Sequence, residues 1–300
     1  MLRCLAGRPW SRKRLLLTKQ LQHLLCFHWT INAKYNNNVR VAVVCFLGFV
    51  RGVTQLHDVV YVVCRWSSTI LRFKATTHQR LTDIDVKDLR QPRDIVACEQ
   101  TSQLYVADWE ECVWRVSADG ADITRWLPKS PSDTFKPWTL SVTSTRPLVA
   151  SQATKQLTQF DADGDELRRV QLPDDMRPLH AVESPTGTFI VSHKNTQLNQ
   201  YQVSEVNTDG EVLSQFTGSR LPSLGSPTRA TVDSRGNVFV ADYDNRRILL
   251  LDAQLTLRRC IIDEHQLNYE QPWRLCYREQ SGQLLVGYAG GVTVFDLLHQ

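Results

Sequence analysis

The sequence predicts an all-β protein, a six-bladed β-propeller of four-stranded antiparallel blades, and three observations point there. Pro92, Pro137, Pro178, Pro227 and Pro272 each open an apolar run, at spacings of 45, 41, 49 and 45 residues. After each proline come three or four short runs with turn residues between them, which is the pattern of strands rather than helices. Units of roughly 40 to 50 residues with four strands each are propeller blades, because one such sheet cannot bury both faces alone. Stacked around an axis, the sheets share a continuous core.

The blades can be read in order. A proline-free first copy begins RGVTQL at Arg51 and continues with VVYVVC, ILRF and LTDIDV. The five proline units open with DIVAC, TLSVT, HAVES, RATVD and RLCYR, and their second runs are QLYVAD, PLVAS, TFIVSH, NVFVAD and QLLVGY. Third runs follow as CVWRV, LTQF, LNQYQV, RILLL and GVTVFD, and four units add DITRWL, DELRRV, GEVLSQF and LTLRRCII. Trp114 and Trp126 fall within strands and are expected to pack in or between blades, and Gly290-Gly291 reads as a hairpin turn. The last copy stops after its third run, at Phe295-Asp296-Leu297, and lacks an outer strand. Residues 39–48, VRVAVVCFLG, are β-rich and unassigned, and are expected to complete that blade and pin the two ends of the chain together. The expected organisation is therefore a poorly ordered basic leader over 1–38 and a propeller over 39–300.

Charge separates the same two parts. Residues 1–57 hold nine of the 35 Lys and Arg and none of the 31 Asp and Glu, so the remaining 243 residues carry 26 basic against 31 acidic side chains, a balance of −5. An apolar fraction of 42% with 22% charged residues is that of a globular chain with a sizeable core. In the leader, Lys19, Gln20, Gln22 and His23 break any signal-peptide core, and the apolar run over 41–50 is too short to span a bilayer. No membrane insertion is expected. The eight cysteines contain no C-x-x-C pair, which argues against zinc-ribbon and RING-type sites. Cys98 and Cys276 fall in apolar runs at equivalent repeat positions and read as buried thiols of a reducing compartment. No N-x-[ST] acceptor occurs. A cytoplasmic location is the expectation.

At the level of motif, SPTRATVDSRGNVFVADYDNRRILLLD over 226–252 resembles the NHL repeat. The unit over 91–116 keeps the proline and VADW, with EQTSQ in place of the usual turn. The copy from Gln271 keeps the proline and SGQLLV but carries Gly287-Tyr288 for the Ala-Asp pair, and the copies from Arg51, Lys136 and Arg177 share mainly the spacing. The chain thus resembles, over residues 51–296, the propeller domain of tripartite-motif/NHL-type proteins, without a RING or B-box module. The resemblance implies a non-catalytic binding platform for proteins, in a ubiquitin-ligase-related setting, or alternatively for single-stranded RNA. A smaller group of similar propellers are metal-dependent lactonases or lyases, which gives a third reading.

In such a blade the first strand lines the central channel, and the loop leading into it opens on the same face as the loop between strands two and three. Counting two past each proline puts Asp94, Thr139, His180, Arg229 and Arg274 around the channel mouth. The same loops hold Trp66, Trp109, Trp138, Tyr243 and Trp273, with Arg65, Arg93, Lys136, Lys194, Arg246 and Arg247 adding positive charge. The expected ligand-binding face comprises Arg229, Arg274, Trp273, Tyr243 and Arg246, extended by Arg93, Trp109, Trp138 and His180. Cations interleaved with rings suit protein hot spots and single-stranded RNA alike. Glu110, Glu111 and Asp244 on these loops weigh toward protein, and DNA is not expected. Asp108 and Asp242 are expected to bind backbone, and His180 with His193 lacks a third ligand. A ring of Asp, Thr, His, Arg and Arg repels a cation. No catalytic residue, metal or cofactor is expected.

Overall fold

The period-two alternation of the apolar runs becomes strand throughout a computed structural model that describes residues 33–35, 39–45, 49–129, 136–143, 145–218 and 223–297. Two N-terminal strands come first, β1 (Ala33–Tyr35) and β2 (Val39–Cys45). The first blade is β3 (Val50–Leu56), β4 (Val59–Cys64), β5 (Thr69–Lys74) and β6 (Ile84–Asp85). The second is β7 (Pro92–Cys98), β8 (Gln103–Asp108), β9 (Cys112–Ser117) and β10 (Ile123–Leu127). The third is β11 (Thr139–Thr143), β12 (Arg146–Ser151), β13 (Gln156–Phe160) and β14 (Glu166–Gln171). The fourth is β15 (Met176–Glu183), β16 (Phe189–Asn195), β17 (Gln200–Val206) and β18 (Val212–Phe216). The fifth is β19 (Pro227–Val232), β20 (Val238–Asp242), β21 (Arg247–Leu251) and β22 (Leu257–Ile262). The sixth contains β23 (Arg274–Arg278), β24 (Gln283–Tyr288) and β25 (Gly291–Asp296). All ladders are antiparallel, and the chain is a six-bladed β-propeller.

The ring closes through the N-terminal strand. β2 pairs antiparallel with β25, with Val41 opposite Phe295 and Cys45 opposite Gly291. This gives the last sheet the outer strand that its own repeat lacks. β1 then pairs with β2, Ala33 opposite Val41, so the sheet reaches into the stretch assigned to the leader. The remainder of the 1–38 segment, and residues 46–48 of the run expected to close the ring, lie outside the described residues.

Packing explains why both faces of each second strand are apolar. Val240 sits with Ile190, Val203 and Leu249 between blades four and five. Its neighbour Phe239 faces the other way, with Leu275 and Leu284 between blades five and six. Trp126 joins blades two and three, with ring centroids 4.6 Å from Tyr105 and 5.6 Å from Phe160. Trp114 packs, half-buried, between the first two blades. Cys98 is buried and Cys276 half-buried. Among the described residues no helix is long and apolar enough to cross a membrane.

Candidate functional site

The innermost strand of each blade sets the site, residue by residue, from its first position. Arg51, Arg93, Leu179 and Thr228 are each skipped by the pairing register, which shifts between Val50 and Gly52, Pro92 and Asp94, Pro178 and His180, and Pro227 and Arg229. A bulge of this kind re-aims the extra side chain away from the ladder. In blades three and six the equivalent residues, Trp138 and Trp273, precede the strand and are held by N–H bonds to the Ala150 and Gly287 carbonyls, at 2.9 and 2.7 Å. All six residues line one cavity of about 600 Å³ at the end of the channel.

The loops between second and third strands complete its wall. Arg65, Trp109 and Tyr243 occupy equivalent places, and their N–H groups bond the carbonyls of Phe49, Gln91 and Ser226 at 2.8, 3.0 and 3.0 Å. These bonds tie each loop to the segment leading into the same blade. Asp108 and Asp242 hold that segment from below. Asp108 accepts from the Arg90 and Gln91 N–H groups at 3.0 and 2.9 Å, and Asp242 accepts from Gly225 N–H at 2.9 Å. Both carboxylates therefore bind backbone, as their positions at the strand ends imply.

Within the cavity, cations and rings are interleaved. The Arg93 guanidinium lies between two indoles, 3.5 Å from the Trp109 ring centroid and 4.2 Å from that of Trp138. Arg51 and Arg274 approach the Trp273 ring at 5.5 and 5.3 Å, and Tyr243 meets Trp273 edge-on at 5.2 Å. Arg65 stacks on the exposed Trp66 at 5.0 Å. Burial lowers the Arg93 pKa to about 10, with the Arg51 charge adding to the effect. Burial likewise lowers Arg274 to about 9, opposed by Asp94 and reinforced by Arg229, Arg51 and Arg93. The cluster carries mutual repulsion that its surroundings only partly offset.

One step deeper, three of the residues two past the prolines, Asp94, His180 and Arg229, form a plug, whereas Thr139 and Arg274 line the cavity. Asp94 is fully buried and accepts from Arg229 Nη1 at 2.7 and 2.5 Å through its two oxygens. It also accepts from the Ile95 and Leu140 N–H groups at 3.0 and 2.9 Å. Arg229 Nη2 donates to the Leu140 carbonyl, and so does His180 Nε2, both at 3.2 Å. Ala230 N–H points at His180 Nδ1 from 3.4 Å, so the buried imidazole is a neutral Nε2–H tautomer. Burial first, and then the Arg229 charge, holds its pKa well below the ordinary histidine value. Gly52 completes this ring without a side chain, because a Cβ there would lie 2.6 Å from the Ile95 nitrogen.

Of the nine residues expected on the ligand face, six line the cavity: Arg93, Trp109, Trp138, Tyr243, Trp273 and Arg274. Arg274 forms its floor, donating to the carbonyls of Arg51, Arg93 and Trp273. Arg229 and His180 are instead 5% and 1% exposed, locked in the plug, because the bulge turns the preceding residue outward and leaves them facing the axis. Arg246 sits exposed at the tip of the turn between β20 and β21, at φ 50°, outside the cavity lining. Lys136 and Arg247 are occupied by Glu111 at 3.3 Å and Asp242 at 2.7 Å. The sequence reading missed Arg51, although RGVTQL aligns it with Arg93 once the absent proline is allowed for. His193 bonds Ser204 Oγ at 2.8 Å, away from the cavity. Among the described residues no group of three or more His, Cys, Asp or Glu converges as metal ligands would.

Comparison with solved structures places the architecture among known propellers. The chain is similar to the WD40 β-propeller domain of Doa1, with TM-score 0.61 and 13% identity over 89% of this chain and 96% of that one. It is similar to a streptogramin B lyase, with TM-score 0.62 and 9% identity over 86% and 98%. It is also similar to hydrazine synthase of Kuenenia stuttgartiensis, with TM-score 0.62 and 11% identity over 91% and 100%. At these identities the likeness shows the fold alone. No protein-family model matches the chain, and no curated protein is found to match it.

Proposed function

We propose that this chain is a non-catalytic scaffold of the NHL-propeller type that binds protein partners in and around the cation–aromatic cavity. The observation that carries this reading is the composition of the ring facing the opening: Arg51 and Arg93 from the first strands, and Trp138 and Trp273 just before them, backed by Trp109 and Tyr243. Trp, Tyr and Arg are the residue types on which interface energy concentrates, and here they line a concave, partly desolvated surface. The fold does not decide between scaffold and enzyme, since the similar structures include a lyase and a synthase.

Single-stranded RNA is the second reading, favoured by the same alternation of rings and cations. Two features weigh against it. The Trp109 and Trp138 faces are already occupied by Arg93, leaving less surface for stacked bases. Glu110, Glu111 and Asp244 surround the opening as exposed carboxylates. Affinity capture from lysate, with and without ribonuclease, tests the choice when run beside a Trp273→Ala, Tyr243→Ala double variant. Ribonuclease-resistant partners that vanish with the double variant, at an unchanged melting temperature, are the expected result. A partner set sensitive to ribonuclease would favour RNA, and an unaltered set in the variant would move the site elsewhere.

A further inference from the structure

Three of the cavity's arginines have no ion-pair partner among the described residues, with Asp108 acting on Arg93 only from beyond contact distance. Among the described residues no carboxylate lies within 4 Å of the Arg51, Arg65 or Arg93 guanidinium, although each stands over an indole ring. The acids nearby are committed elsewhere. Asp94 is held by Arg229, Asp244 accepts from the Ser226 N–H at 2.9 Å, Glu110 pairs with Arg90 at 3.4 Å, and Glu111 pairs with Lys136. Two donors at the same site, Arg93 Nε and Trp273 Nε1, are buried without a hydrogen-bond partner. Unpaired guanidiniums and orphaned donors sharing one concave surface describe a preorganised anion receptor, in which the missing acceptor is the ligand's.

We propose that this cavity binds the phosphate monoester of a phosphorylated side chain presented by a partner protein, an inference that rests on the scaffold reading above. A phosphomonoester brings a charge of about −1.5 to −2 and three acceptor oxygens, which matches several converging guanidiniums better than a single carboxylate does. Burial first, and then the charge of neighbouring arginines, lowers the Arg51, Arg93 and Arg274 pKa values, and an anion among them would offset the repulsion. The cations are confined to one cavity with acidic side chains at its rim, whereas a polynucleotide needs positive charge along a track. Tyr243, Tyr201 and the exposed Trp66 border the opening and supply contact for residues flanking the phosphate.

The test is retention of random peptide libraries centred on phosphoserine, phosphothreonine or phosphotyrosine by the immobilised full chain. The unphosphorylated libraries and a 12-nucleotide oligouridine are run beside them. Selective retention of phosphorylated peptides is expected, competed by the free phosphoamino acid. Arg51→Gln and Arg93→Gln should each weaken it by about tenfold or more, as loss of one charge-assisted bond implies. Arg51→Gln guards against a folding artefact of Arg93→Gln, and Lys74→Gln, an exposed lysine outside the cavity lining, should leave retention unchanged. Retention that ignores phosphate but is lost on Trp273→Ala would overturn the phosphate proposal and leave the scaffold reading standing. Oligouridine binding in place of peptide would overturn both. Failure to retain any peptide would overturn the phosphate proposal and leave the scaffold reading to the lysate capture.

Discussion

Asp94 and Arg229 show how one pair of side chains can tie a ring together. Their bond runs from blade two to blade five, and the Leu140 backbone of blade three joins both. Removing one member of a buried pair leaves an uncompensated charge at a cost of about 3–5 kcal/mol. Asp94→Ala and Arg229→Met should therefore each lower stability by that order in urea melts. The double variant should recover part of the loss, because it removes both charges; double-variant losses equal to the sum of the singles would show that the two do not act as a pair. On the sequence Arg229 and Arg274 read alike, as residues of the channel mouth, whereas in the structure Arg229 is locked to Asp94. The chemistry of the cavity was legible: the loops that bring Arg93, Trp109 and Trp273 together follow from the repeat. Depth was not, because a one-residue bulge leaves no mark in the apolar pattern, yet it decides whether a side chain faces the opening or the axis. Arg51 was hidden for a related reason, since its blade lacks the proline that anchors the count.

At the scale of the strand, the alternation in NVFVAD reads as two buried faces once blades stack on both sides. Val240 belongs to the blade-four interface and Phe239 to the blade-six interface, where its ring lies 4.5 Å from that of Tyr277. Val240→Asp would bury an unpaired carboxylate among Val203, Leu249 and Ile190, and should cost several kcal/mol. A denaturant melt indistinguishable from the parent would contradict the register in which Val240 opposes Ala230 and Leu249. Most strands were legible, because short apolar runs between turn residues have few other solutions. The outer strand of blade one was less so. Only Ile84 and Asp85 of LTDIDV join the ladder, opposite Ile70 and Thr69. Val86 turns inward instead, bonding the Ser68 carbonyl at 2.9 Å, and with Leu89 fills the space against blade two.

For the whole molecule the decisive contact is the one that makes a ring from a chain. Blades two to five are each built from one continuous segment and flanked on both sides. The sixth depends on β2, which meets β25 from Val41 to Cys45 nearly 250 residues away in sequence. The sequence announced this through a deficit, a last repeat with three runs and a spare β-rich run before the first blade. Deleting residues 1–36 removes β1 and keeps β2, so β25 stays covered and a cooperative fold near the parental melting temperature is expected. Deleting residues 1–49 takes β2 away and leaves β25 as an unpaired edge, its Val292, Val294 and Phe295 backbone groups without their strand. A loss of a few kcal/mol in a domain of this size corresponds to a fall of roughly 5 to 10 °C in melting temperature. Concentration-dependent association should accompany it, as open edges pair with one another. Equal melting temperatures and equal solubility for the two truncations would mean that β23 to β25 hold the ring closed unaided, and that the N-terminal strand only decorates its rim.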